Sequence, residues 1–164
     1  MRQKSISVVA FLLMLAAPLA PASDVVVSFS VPEFSDGPKQ RPYVAIWLEK
    51  RGQKQAIRTF EVWYEDKKWL KDLRRWWRKS GRYQEDIDAI TSATKPPGTY
   101  TRKYTFPKEL LESGGKYTLY IEAVREHGNR TLLKQPIDLS NPLPQSFELE
   151  AGKEIGPINI RLGD

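Results

Sequence analysis

The sequence predicts a mostly β fold: an immunoglobulin-like β-sandwich of about seven to eight strands with one inserted amphipathic α-helix, packed against one sheet or its edge. Three observations carry that reading. Short apolar runs alternate at period two, Gly, Pro, Asn and Ser separate them at regular intervals, and one segment alone switches to helical spacing.

The N-terminus is read first as a targeting segment. Arg2 and Lys4 precede an apolar run from Ser5 to Ala20, and Ala20-Pro21-Ala22 supplies the small-x-small pattern of a signal-peptidase site. Residues 1–22 are therefore expected to be a cleavable signal peptide, and 23–164 a single β-sandwich domain exported to the periplasm. Cleavage removes two bases and no acid, so the formal net charge falls from +6 to +4.

Val25, Val27, Phe29 and Val31 alternate with smaller or polar residues, the signature of a half-buried strand over 24–31. Tyr43 to Leu48 is apolar on both faces, as a central strand covered twice would be. Residues 49–54 reverse the chain, and Ala56 to Tyr64, rich in β-branched and aromatic residues, completes a hairpin. Asp66 is a good N-cap. Beyond it Trp69, Leu70, Leu73, Trp76 and Trp77 recur at helical spacing until Gly81, with Lys67, Lys68, Lys71, Arg74, Arg75 and Arg78 forming a cationic ridge opposite. Residues 86–98 read as an irregular loop, because Pro96-Pro97-Gly98 permits neither a helix nor a paired strand. Strands are then expected over 99–106, 116–125, 131–139, 145–149 and 155–162.

Composition excludes several chemistries. The chain has no Cys, its two methionines Met1 and Met14 both fall in the signal peptide, and His127 is the sole histidine. Thiolate iron–sulfur ligation, covalent c-type haem and blue-copper sites are therefore excluded, and no disulfide contributes to stability. Neither G-x-S-x-G nor H-E-x-x-H occurs. His127 is the one candidate metal ligand, and it would have to recruit Glu122, Glu126 or another acid; Gly128-Asn129 beside it reads more simply as a tight hairpin turn. The basic ridge does not indicate nucleic acid in an exported chain, since its tryptophans lie on the apolar stripe. Docking to anionic lipid headgroups or an acidic partner is the other use for it.

The most specific segment is Asp88-Ala89-Ile90-Thr91-Ser92-Ala93-Thr94. It resembles the acceptor motif of proteins that receive covalent FMN from a secreted flavin transferase. By that resemblance Thr94 is the residue esterified to the FMN phosphate, Asp88 the motif's acidic position, and Thr91, Ser92 and Ala93 the intervening positions. Ser92 stands where the motif usually has glycine, which reaches backbone conformations that cost serine energy. Lys95 adjoins the ester position and could pair with its phosphate. An exposed loop would make Thr94 accessible to an enzyme, and Trp47, Trp63, Trp76, Trp77, Tyr83 and Tyr100 are candidate walls for the flavin ring.

A wider resemblance rests on Arg41 to Trp47, Lys68 to Trp77, Asp88 to Thr91, Lys95 to Gly98 and Glu122 to Gly128. These segments look like the bacterial predicted-periplasmic family known as domain of unknown function 2271. The resemblance implies an extracytosolic electron-transfer or iron-acquisition setting, with a flavin transferase and a PepSY-type membrane reductase as partners. The expected function is that of a non-catalytic accessory protein of a membrane-linked redox or iron-acquisition system, either bearing FMN on Thr94 or docking to a partner that bears a cofactor; the alternative is a cofactor-free periplasmic binding or interaction module.

Overall fold

A computed structural model of the protein describes residues 23–35, 40–83 and 87–163. The signal-peptide reading falls on residues 1–22 and lies outside the described residues.

Nine strands form two sheets among these residues. Strand β1 (Asp24–Val31) pairs on one side with β5 (Gly98–Thr105) and on the other with β9 (Ile158–Leu162), beyond which lies β8 (Gln145–Leu149). The second sheet runs β4 (Thr91–Ser92), β3 (Arg58–Trp63), β2 (Tyr43–Lys50), β6 (Lys116–Val124), β7 (Arg130–Asp138). Every pairing is antiparallel except β3 with β4. The β-sandwich read from the sequence is the observed architecture, and the strand β8 coincides with its expected limits.

The sheets meet through the alternating residues of their strands. Val25, Val27 and Phe29 of β1 and Ile158, Ile160 and Leu162 of β9 pack against Val44, Ile46 and Leu48 of β2 and Leu119 and Ile121 of β6. Strand β2 is buried on both faces, as its unbroken apolar run implied. Its other face presents Ala45 and Trp47 to a second cluster built from Val62, Leu70, Leu73, Trp76 and Ile87.

The segment covering that face is not one helix. Asp66 caps as expected, its Oδ1 accepting from the Lys68 N–H at 2.9 Å, but the chain then forms a 3-10 turn over Lys67–Asp72 and a separate α-helix, α1 (Arg74–Lys79). Leu73 breaks the run with ψ near 69°. The break has a compensating partner: the carboxylate of Glu122 on β6 accepts the N–H groups of Arg75 at 3.1 Å and Trp76 at 2.9 Å, supplying from the sheet the cap that α1 lacks locally.

Two other expectations change. The 86–98 segment is not wholly irregular, since Asp88–Ile90 forms a 3-10 turn and Thr91–Ser92 extends the second sheet. A short helix, α2 (Lys108–Ser113), also stands where only a connection was expected; Leu110 and Leu111 pack on the core, but six residues are too few to show a period. Among the described residues no helix is long and apolar enough to cross a membrane.

Candidate functional site

The acceptor-like segment lies where the two sheets share an open side. Strand β4 is the edge of one sheet and β5 the edge of the other, and residues 93–97 cross between them. The parallel register sets Val62 beside Thr91 and Trp63 beside Ser92, and the Tyr64 N–H continues it by donating to the Ser92 carbonyl at 3.0 Å. Continued two residues further, that register brings Glu65 to Thr94.

The Thr94 hydroxyl donates to Glu65 Oε1 at 2.5 Å, and Thr94 is only 3% exposed. The accessible threonine expected of a loop is thus corrected: pairing of β4 with β3 draws the end of the motif against the sheet. Lys95 does not reach outward. Its ammonium lies 5.1 Å from the Trp63 ring centroid, and Trp63 meets Tyr100 edge to face at 5.3 Å. The Tyr100 hydroxyl donates to the Pro96 carbonyl at 2.6 Å, closing this turn.

Asp88 is exposed, with its carboxylate 3.7 Å from Lys67, and its carbonyl accepts the Thr91 hydroxyl at 3.2 Å. Ala93 is exposed. Ser92 lies in extended backbone; among the described residues the only non-glycine with positive φ is His127. Position 92 therefore makes no conformational demand for glycine, and its hydroxyl is used, donating to Glu61 Oε1 at 3.2 Å.

Glu61 is the residue that sequence reading missed here. It is 5% exposed and accepts from Arg102 Nε at 2.8 Å, Arg102 Nη2 at 2.6 Å and the Tyr104 hydroxyl at 2.5 Å, joining the two sheets at their edge. Burial alone would raise its carboxyl, but the hydrogen bonds from Arg102 and Tyr104 and the guanidinium charge outweigh that and hold it below the ordinary 4.5. Burial and the Glu61 charge push the Tyr104 phenol up, so it remains a donor. A lone acid inside the apolar run Thr59 to Trp63 was the available signal.

The aromatic walls do not assemble around Thr94. Trp63 and Tyr100 are beside the segment, but Trp63 is 1% exposed. Trp47 and Trp76 are fully buried in the other cluster, where Trp47 Nε1 donates to Glu49 and Trp76 Nε1 to Thr59. Trp77 tilts against Trp76, and Tyr83 is exposed. Nor is Arg75 part of the cationic ridge: its guanidinium is bidentate on buried Glu49 at 3.0 and 2.8 Å and lies over the Tyr120 ring.

His127 stands in the β6–β7 turn with φ near 57°, its side chain largely exposed and 3.7 Å from Glu126. The left-handed position thus belongs to His127, not to the Gly128-Asn129 pair. Glycine is needed at 128 for another reason, since a Cβ there would come within 2.8 Å of the Arg125 side chain. Among the described residues no three His, Asp or Glu side chains gather as a metal would require. The turn instead borders an open cleft of about 560 Å³ with Trp69, Asp72 and Arg74 opposite. Two segments some fifty residues apart, Lys68 to Trp77 and Glu122 to Gly128, thereby face one another.

A family model described as "Predicted periplasmic protein (DUF2271)" matches residues 24–157, nearly the whole of the sandwich. The chain belongs to this family. No curated protein and no solved structure matches the chain. As a DUF2271 member it is a predicted periplasmic protein, with the edge-strand segment at Thr94 and the cleft at His127 as its two candidate sites.

Proposed function

We propose that this DUF2271 protein is an exported accessory of a membrane-linked redox or iron-acquisition system, matured by cleavage after Ala22 and carrying FMN esterified to Thr94. The observation that supports this reading best is the 2.5 Å hydrogen bond from the Thr94 hydroxyl, at the end of the acceptor-like motif, to the Glu65 carboxylate. Thr94 Oγ1 would attack the flavin-side phosphorus of a flavin dinucleotide held by the transferase, the pyrophosphate bond breaking and the nucleoside monophosphate leaving, and the Glu65 carboxylate is placed to accept the proton that Oγ1 loses.

The surroundings fit the group in part. Lys95 would hold the ester phosphate if it left the Trp63 face. Tyr100, half-buried, offers one aromatic edge, and the ring would otherwise lie on the surface. Bound there, the flavin would supply reversible electron transfer between a PepSY-type membrane reductase and its acceptor. Because Thr94 is buried, the 93–97 crossing must swing out for a flavin transferase to reach it; the β3–β4 pairing, two residues long, is the shortest strand pairing among the described residues.

The second reading, a cofactor-free binding module, is favoured by the cleft between Trp69, Arg74 and His127. The two separate on one preparation. Protein taken from the periplasm of a host with its own flavin transferase should be yellow and carry the mass of one FMN, and Thr94→Ala protein should carry neither. A colourless, unmodified wild type would leave the binding module as the function.

A further inference from the structure

We propose that the outward face of the Lys67–Tyr83 segment is a docking surface for a bilayer rich in anionic phospholipid. Lys67, Lys68, Lys71, Arg74, Arg78 and Arg82 are all exposed along it. Asp88 and Asp66 answer the first two, at 3.7 and 3.0 Å. Lys71, Arg74, Arg78 and Arg82 have no acidic partner within 4 Å among the described residues. Arg74 and Arg78, four residues apart on α1, share one side of that helix, and Lys71 is exposed in the 3-10 turn that precedes it.

These four cations are not needed to hold the fold. The inward side has its own complete set of contacts: Leu70, Leu73 and Trp76 fill the second cluster, Arg75 and Lys79 turn to buried Glu49, and Glu122 caps α1. Burying that side leaves Lys71, Arg74, Arg78 and Arg82 facing outward with no ion pair among the described residues.

At the C-terminal end of the ridge is Tyr83, 41% exposed and the only large apolar side chain so exposed among the described residues, with Arg82 4.9 Å from its ring centroid. An aromatic ring with a polar tip beside cations suits the headgroup depth of a bilayer, where Tyr is enriched. A lipid surface is favoured over an acidic protein because headgroup phosphates are recognised by charge alone, which long cationic side chains with no ion pair among the described residues satisfy. The family's periplasmic setting puts bilayers within reach.

The test is co-sedimentation of the purified 23–164 chain with vesicles of phosphatidylethanolamine containing about one third phosphatidylglycerol, and with pure phosphatidylcholine vesicles. Binding to the anionic vesicles should be at least about tenfold tighter and should disappear near 0.5 M salt, where charges a few ångströms apart are screened. The exposed pair K71E/R78E should abolish it while circular dichroism stays unchanged, and Tyr83→Ser should weaken it at low salt. Equal binding to both vesicle types, or undiminished binding by K71E/R78E, would overturn the proposal. So would equally tight binding to polyglutamate in solution, which would assign the face to an acidic protein.

Discussion

Thr94 and its immediate neighbours show how one hydrogen bond alters what a motif can do. Glu65 is exposed while the hydroxyl it holds is not, so the carboxylate can be changed without opening the core. Glu65→Gln keeps an acceptor oxygen but has little basicity; FMN incorporation by purified transferase should slow by roughly tenfold or more, and Glu65→Asp should recover part of it. Full-rate modification of Glu65→Gln would show that the bond only positions the hydroxyl. Glu61 carries a prediction in pH. Its carboxyl is lowered below 4.5 in the folded chain, so its contribution to stability is present above that value and is lost as the pH falls through the folded value. Chemical denaturation between pH 6 and about pH 3 should show an acid loss of stability in the wild type that Glu61→Gln shows in reduced form. An unchanged slope would mean that Arg102 and Tyr104 do not bias that proton.

Among the elements, the helical layer on the second sheet departs most from its sequence pattern. Local spacing favoured one amphipathic helix, yet the chain bends at Leu73 and restarts with its first free N–H groups taken up by the Glu122 carboxylate. Glu122 is fully buried and also receives Arg130 Nε at 2.6 Å. Replacing it with Ala leaves a guanidinium and two backbone N–H groups without their acceptor, and should cost about 3–5 kcal/mol in urea unfolding. A loss below about 1 kcal/mol would mean that water or another residue caps α1. Trp76→Ala should cost about 3–5 kcal/mol by cavity formation, with loss of the Nε1 bond to Thr59. Gly81 belongs to the same layer: a Cβ there would lie 2.6 Å from the Trp77 ring and 2.7 Å from Trp76.

At the level of the whole molecule, two ionic bridges link parts that neither sheet alone connects. Glu61 with Arg102 and Tyr104 joins the sheets along their open side. Arg125 with Glu154 ties the β6–β7 turn to the segment entering β9: the pair is 1% and 0% exposed at 3.0 Å, Arg125 stacks over Phe34, and Glu154 also accepts the Asn129 N–H. Removing Arg125 alone strands the buried Glu154 charge, and removing Glu154 with it relieves that. Arg125→Met should therefore destabilise by about 3–5 kcal/mol, and Arg125→Met combined with Glu154→Leu should restore part of that in thermal unfolding, the Asn129 N–H losing its acceptor. Simple additivity of the two losses would show that the pair's charges are independently satisfied.

Strand positions were legible in the sequence because their cause is local. Period-two alternation marks one buried face, as in Val25 to Val31, which Pro32 ends; continuous apolarity marks two, as in Val44 to Leu48, with the charged, Gly52-containing turn after it. The Asp66 cap was legible for the same reason. The sites were only partly so. The motif placed Thr94 at the end of its segment, but burial of its hydroxyl depends on β4 pairing with a strand thirty residues earlier. The second cap of the helical layer comes from Glu122, 46 residues beyond Trp76, and Glu49, Glu61, Arg125 and Glu154 look like surface charges until distant partners are brought to them. A charge can be buried only when its partner is already in place, and that condition is met by the tertiary structure, not by the neighbours in the chain.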